Sequence, residues 1–275
     1  MTIQADLQLG STPEVLFRSL CELGFQPFWL DSGEEECLDE ESNWAIGVQP
    51  HRVVRIDSGQ GDPFEGLQEL REALVPRGSV ANEFPFPIPA AVFTLSYEAG
   101  SFSLPCGPAT QDPLAFPLFW GSVVCGLILG RRGTDAVTVL ALNSDTLESL
   151  ENLVSSSTGS YEKGDPAETR WIRELIPSRS RQTYENGIES VIEYIRAGDI
   201  YQANIARRFS GELLPGSQAH ELFLRLREKS SAPFSAFLDL DSHQILSASP
   251  ECFLRWDGSG NVSSFPIKGT ARRHP

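Results

Sequence analysis

The chain has 275 residues, enough for one large domain or two small ones, and its 40% hydrophobic and 21% charged residues are an ordinary globular composition. With 22 basic against 37 acidic residues the net charge is −15, which argues against a nucleic-acid-binding face and against attachment to anionic membranes. Cys21, Cys37, Cys106, Cys125 and Cys252 form no Cys-x-x-Cys pair, so neither a zinc site nor a dithiol is indicated; no leader pattern and no membrane-length apolar run is present, and a cytoplasmic protein is expected.

Thr12-Pro13-Glu14 has the order of cap, first-turn proline and acid that opens a helix. Leu16, Leu20 and Leu23 supply its apolar stripe, and Gly24 ends it. Phe28-Trp29-Leu30 reads as a strand, followed by an acidic turn at Gly33–Glu36. Trp44–Val48 and Arg52–Ile56 read as two more strands, and Phe64–Leu74 as a helix with Leu67, Leu70 and Leu74 on one face. Ala91–Leu95 is a core strand, Pro105–Pro117 a loop, and Val123–Leu129 with Ala136–Leu142 a hairpin across Gly130–Gly133. A short helix is expected around Leu147–Val154. The serine-rich run from Ser155 towards Pro166 is the linker candidate, dividing the chain into 1–160 and 161–275.

Beyond it, Ser180 caps a helix carrying Tyr184, Ile188, Val191, Ile192 and Ile195 at helical spacing, and Gly198 stops it. Ser217–Lys229 is a further helix with Leu222, Phe223 and Leu226 inward. Ser235–Leu240, Ile245–Ser249, Cys252–Trp256 and Val262–Ile267 then read as an antiparallel meander. The predicted class is α+β: antiparallel sheets packed as a sandwich with interleaved helices. His51, His220, His243 and His274 have no partner at ligand spacing, and no metal site is read from the residues of this chain.

One residue breaks the pattern. Lys268 sits in Phe265-Pro266-Ile267-Lys268-Gly269-Thr270, an ammonium in an apolar strand with a glycine beside it. Burying it costs several kcal/mol unless it is paired or neutralised. A lysine that blunts an edge strand is one reading. Folding the hairpin symmetrically about Ser259-Gly260 gives another: it pairs Asp257 with Val262 and Glu251 with Lys268 on one face. That pair is either a cross-strand ion pair of small worth or a nucleophilic amine with an acid/base partner.

Ser249-Pro250-Glu251 followed by Pro266-Ile267-Lys268-Gly269-Thr270 resembles the chorismate-utilising enzymes, and within them component I of aminodeoxychorismate synthase. Tyr194–Ile205, Pro233–Phe237 and Trp29–Gly33 agree with the same family. The resemblance is continuous from about Arg170 to Thr270. It implies that Lys268 attacks the chorismate ring, that Glu251 is the acid/base, and that Gly269 and Thr270 contact substrate. Anthranilate synthase component I usually has alanine where Lys268 stands, which makes that enzyme the disfavoured variant. Ammonia, free or delivered by a glutamine amidotransferase subunit, is the implied nitrogen donor on the way to folate. The implied Mg2+ has its ligands in a further segment that family members carry. The chain is therefore expected to be a truncated form without synthase activity of its own. A non-catalytic homologue that binds tryptophan or the amidotransferase is the alternative. For tryptophan, the positions matching the family are Ser32, Glu41, Ser42, Asn43, Trp44, Pro233, Phe234 and Ser235. At Ser32 the plain alternative is a serine that caps a turn beside a core strand.

Overall fold

The computed structural model describes residues 3–32, 43–74, 90–103, 116–162, 171–230, 232–256, 259–267 and 269, without the side chains of 49–51. Two compact units form, one from Met1–Tyr161 with Ala219–Pro275 and one from Glu162–Gln218. The expected acidic turn at 33–36, most of the proline-rich loop and the end of the linker lie outside the described residues.

The elements of the first unit are β1 (Ile3–Gln8), α1 (Pro13–Glu22), β2 (Phe28–Asp31), β3 (Asn43–Ile56), α2 (Pro63–Ala73), β4 (Ala90–Leu95), β5 (Phe119–Arg131), β6 (Ala136–Ala141) and α3 (Ser144–Ser156). The second unit contains β7 (Ile176–Pro177), α4 (Arg181–Ala197) and β8 (Phe209–Ser210). The chain then rejoins the first unit with α5 (Ala219–Lys229), β9 (Phe234–Asp239), β10 (Gln244–Ser249), β11 (Cys252–Trp256) and β12 (Val262–Phe265).

An eight-stranded antiparallel sheet organises the first unit in the order β1-β6-β5-β3-β2-β9-β10, with β4 also paired to β5. The α+β expectation of antiparallel sheets with interleaved helices holds. β9 joins the sheet by pairing with β2, Asp31 facing Ser235 and Trp29 facing Phe237. The two strands expected at 44–48 and 52–56 are one strand of 14 residues. Its register against β5 shifts between Pro50 and Arg52, because a proline cannot donate to the ladder and sheets accommodate it at a bulge.

Strand alternation sends side chains to two faces. One carries α1, α3 and α5 over Trp29, Trp44, Ile46, Ile128, Val139 and Phe237, and α2 over Val54, Phe119 and Val123. The other face holds Phe28, Ala45, Trp120, Leu127, Leu129 and Leu238. At the centre of the first face Phe17 meets Trp29 at 5.0 Å, Phe237 at 5.1 Å and Phe223 at 6.0 Å between ring centroids, all edge to face. Each such pair adds about 0.5–1.5 kcal/mol beyond simple burial.

Three helix details differ from the sequence reading. Phe17, not Leu23, completes the inward stripe of α1; Leu23 follows the last turn and is 63% exposed. In α5, Leu224 joins Phe223 inside, and Leu222 and Leu226 are half-buried. The expected meander also breaks: β11 and β12 form a separate two-stranded sheet, and among the described residues β10 pairs only with β9. Ser249-Pro250-Glu251 intervenes, where a ring without an N–H ends one ladder before the next begins. No helix among the described residues is long and apolar enough to cross a membrane.

Candidate active site

The hairpin β11–β12 carries the first constellation. Trp256 faces Val262, Arg255 faces Ser263 and Cys252 faces Phe265, with a register shift between Cys252 and Arg255. Val262, expected opposite Asp257, faces Trp256 instead, and the expected pairing of Glu251 with Lys268 falls on a residue outside the described ones. Three residues of β11 span what two residues of β12 span, so the extra residue bulges from β11. Carried one step past Cys252–Phe265, this register sets Glu251 against Pro266.

Glu251 reaches the same end of the hairpin by its side chain instead. Its Oε1 accepts a hydrogen bond from the Ile267 backbone N–H at 2.7 Å. A carboxylate bonded to a backbone amide is a strong, charge-assisted contact. It pins Glu251 to the residue that precedes Lys268 in the chain. Glu251 is exposed, and the Ser249 hydroxyl donates to its backbone carbonyl at 3.2 Å. Lys268 and Thr270 lie outside the described residues. At Gly269 a Cβ would meet nothing within 4 Å, so the backbone there is open to approach.

The second constellation gathers where β2, β3 and β9 run side by side. Asp31 faces Trp44 on one side and Ser235 on the other. Just beyond, the Ser32 N–H donates to the Asn43 carbonyl at 3.1 Å, and the Asn43 N–H donates to Ser32 Oγ at 2.8 Å. Alternation divides the expected tryptophan-site residues between the two faces. Trp44 and Ser235 share the helix-covered face with Asp31. Ser32, Asn43 and Phe234 fall one step along, on the opposite pleat with Phe28 and Leu30. Pro233 is buried, and the Ser235 hydroxyl donates to the Ala232 carbonyl at 3.0 Å. Among the described residues Asn43 Oδ1 is buried and has no hydrogen-bond partner. Glu41 and Ser42 lie outside the described residues.

Sequence reasoning missed the charges beneath this site. The Asp31 side chain is 0% exposed. It accepts two hydrogen bonds from Arg132 Nη2, at 3.0 and 2.8 Å, and one from Arg227 Nε. Arg227 also pairs with Glu14 through Nη1. Burial pushes the Glu14 carboxyl upward, but the Arg227 charge and hydrogen bonds from the backbone and Thr12 outweigh it, and the net direction is down. The available signal was a carboxylate ending the apolar run Phe28-Trp29-Leu30. Among the described residues no group of three or more His, Cys, Asp or Glu side chains is placed to hold a metal ion.

Comparison with known proteins agrees with the hairpin motif. A family model described as chorismate binding enzyme matches residues 26–275. Aminodeoxychorismate synthase component 1 of Escherichia coli (strain K12) is 42% identical over 216 residues, covering 78% of this chain and 45% of that protein. Anthranilate synthase component 1 of Thermus thermophilus is 39% identical over 94 residues, covering 34% of this chain and 20% of that protein. The crystal structure of anthranilate synthase component I from Streptococcus pneumoniae TIGR4 superposes with a TM-score of 0.61 at 19% identity, covering 91% of this chain and 58% of that one. The chain thus spans less than half the length of these curated relatives.

Proposed function

The chain belongs to the chorismate binding enzyme family, and from that premise we propose that it is part of a chorismate-aminating subunit making 4-amino-4-deoxychorismate on the folate route. Lys268 is the nucleophile. Its uncharged amine bonds to the chorismate ring, the double bonds shift, and the 4-hydroxyl leaves as water with a proton from Glu251. Ammonia then bonds at that ring carbon, the double bonds shift back, and the lysine amine is released. The net change is hydroxyl for amine, with one water formed. Gly269 and Thr270 line the substrate's approach.

The observation that supports this reading most is the Glu251 carboxylate on the Ile267 N–H at 2.7 Å. It holds the Glu251 carboxylate at the backbone of Ile267, the residue before Lys268 in the chain. An amidotransferase subunit is the proposed ammonia source. Magnesium is assigned to the part of the family fold that this chain does not span, and no step above depends on it.

The test is intact-mass analysis of a version carrying the family's full length, incubated with chorismate without ammonia. A covalent adduct is expected and should map to Lys268. Lys268→Ala should show no adduct; an adduct or aminating activity retained in that variant would remove the nucleophile role.

A tryptophan site is a second reading. Asn43 Oδ1, buried and without a partner among the described residues, adjoins Ser32 on the pleat that carries Leu30 and Phe28. An unpaired buried acceptor suits an ammonium group, and the apolar wall suits an indole. Calorimetric titration with tryptophan should show binding that Asn43→Leu abolishes.

A further inference from the structure

On the sheet face away from α1, α3 and α5, a narrow cleft opens among β2, β4, β5 and β9, with about 310 Å3 of empty space counted out to its mouth. Trp120 and Ser122, at alternate positions of β5, form its floor, and they are 4% and 3% exposed. Phe28 and Leu238 stand in its apolar walls, and both are buried. The exposed Gln26 and the half-buried Asp239 make its rim.

The floor is rich in donors. The Trp120 indole N–H is buried and, among the described residues, has no hydrogen-bond partner. An indole nitrogen can only donate, and a buried one usually finds an acceptor. The Thr94 hydroxyl, directly across on β4, is buried and without a partner among the same residues. The Ser122 hydroxyl reaches the Val123 carbonyl only at 3.4 Å, well beyond the roughly 2.5–3.0 Å of a good hydroxyl bond. Arg55, opposite Trp120 on β3, is committed to Asp57 and to the Ser242 hydroxyl. The rim has the opposite character. The Asp239 carboxylate accepts from the Asp241 N–H at 3.1 Å and from the Gln244 amide at 2.8 Å, and a carboxylate has further lone pairs to offer. Gln26 spends its amide nitrogen on Asp241 and keeps a carbonyl oxygen.

We propose that this cleft binds a small amine whose apolar body, one ring in size, ends in an uncharged oxygen. The oxygen accepts from the Trp120 indole and the Ser122 hydroxyl, the body lies against Phe28 and Leu238, and the ammonium meets Asp239 at the rim. The buried end must be uncharged, because a carboxylate there would be desolvated with Arg55 already committed. The space is at the small end of the range for ligand pockets. The cleft is separate from the residues of the tryptophan reading. Phe28 stands four residues before Ser32, and Leu238 four after Phe234, about 13 Å along the strands at roughly 3.3 Å per residue. Nothing in this inference draws on the amination chemistry proposed above.

The experiment titrates tyramine, which has a phenol oxygen, one ring and an ammonium, into the isotope-labelled 275-residue chain. The indole N–H resonance of Trp120 is followed by NMR, assigned from its absence in Trp120→Phe. A saturable shift of that resonance is expected. Phenethylamine, which lacks the oxygen, and para-cresol, which lacks the amine, should each bind about tenfold more weakly or worse, and so should tyramine to Trp120→Phe and to Asp239→Asn. A resonance that stays in place at millimolar tyramine would mean that water alone serves the indole, and would overturn the proposal. Phenethylamine binding as tightly as tyramine, or displacement of tyramine by tryptophan, would overturn it too. The ligand series is read on the unaltered chain, so the outcome stands even where Trp120→Phe loosens the core. No chorismate is present, so failure of the amination reading leaves the result untouched.

Discussion

The guanidinium of Arg227 lies over the indole of Trp29, its central carbon 4.7 Å from the ring centroid, while its edge bonds to Asp31 two residues along the same strand. One side chain from α5 thus covers β2 by stacking and ties it by charge. Removing it leaves Asp31 buried with Arg132 as its remaining charged partner. Breaking a buried ion pair from one side costs about 3–5 kcal/mol. Arg227→Ala should lose an amount in this range in urea unfolding, and Arg227→Lys should recover only part, because an ammonium cannot form the same fork. A loss within about 0.5 kcal/mol, the range of an ordinary surface change, would mean the cluster contributes nothing net.

The same cluster sets an acid limit. Glu14 has its folded pKa below the ordinary 4.5, so its contribution to stability is complete above that pH and is lost as pH falls through the folded value. His220 is also shifted down, by burial first, against the pull of Glu221 and Glu22. The unfolded chain therefore binds the histidine proton more readily, and stability declines as pH falls below 6.5 towards the folded value. Both effects have one sign. Urea midpoints measured from pH 7 downward should fall in two stages, with His220→Gln flattening the first and Glu14→Gln the second. A midpoint that rises on acidification would contradict both.

Cys21 should be chemically quiet. Burial, with Asp239, Glu22 and Glu221 nearby, pushes its thiol up to about 12 from an ordinary 9.0. At pH 8 that lowers the thiolate fraction roughly 1,000-fold, and the thiolate is the reactive form. Mass mapping after iodoacetamide should find Cys21 unlabelled in the native chain and labelled in urea. Rapid native labelling would show that α1 opens readily.

Where β3 pairs with β2 and with β5 the sheet has no room for a methyl group. A Cβ on Gly47 would lie 1.9 Å from Phe28 Cε1, and one on Gly130 2.2 Å from Trp44 Cζ2. Both rings are buried, so neither can swing clear. Gly47→Ala should destabilise by about 1–3 kcal/mol as an overpacked core site, with a matching drop in melting temperature. Phe28→Leu in the same chain should recover part of that loss, which an unrelated cause would not allow.

The local signals were legible because they are local. Pro13, Ser180 and Gly198 fix helix ends through groups within one turn, and α4 runs between its expected cap and stop. What was hidden depends on neighbours distant in sequence. Asp31 reads as the end of an apolar strand until Arg132 and Arg227 arrive from two other elements. The merging of two expected strands into β3 depends on β5 running past the Pro50 bulge. The hairpin register failed for a related reason: side-chain alternation cannot reveal which strand carries an extra residue. The motif around Glu251 and Lys268 was legible as a family resemblance, and the geometry behind Glu251 was not, since a side chain bonded to the Ile267 N–H leaves no periodic trace.

That bond separates two roles for Glu251. As an acceptor it needs only an oxygen; as an acid/base it needs an exchangeable proton. Glu251→Gln keeps a carbonyl oxygen for the Ile267 N–H and loses the titrating group, whereas Glu251→Ala loses both. In a version carrying the family's full length, the glutamine variant should retain slow exchange at Ile267 and lose amination by about 100-fold or more, the usual worth of a positioned acid or base. The alanine variant should lose both. If the glutamine variant aminates chorismate at the unchanged rate, Glu251 serves only to anchor the strand before Lys268, and the proton for the departing hydroxyl comes from another group.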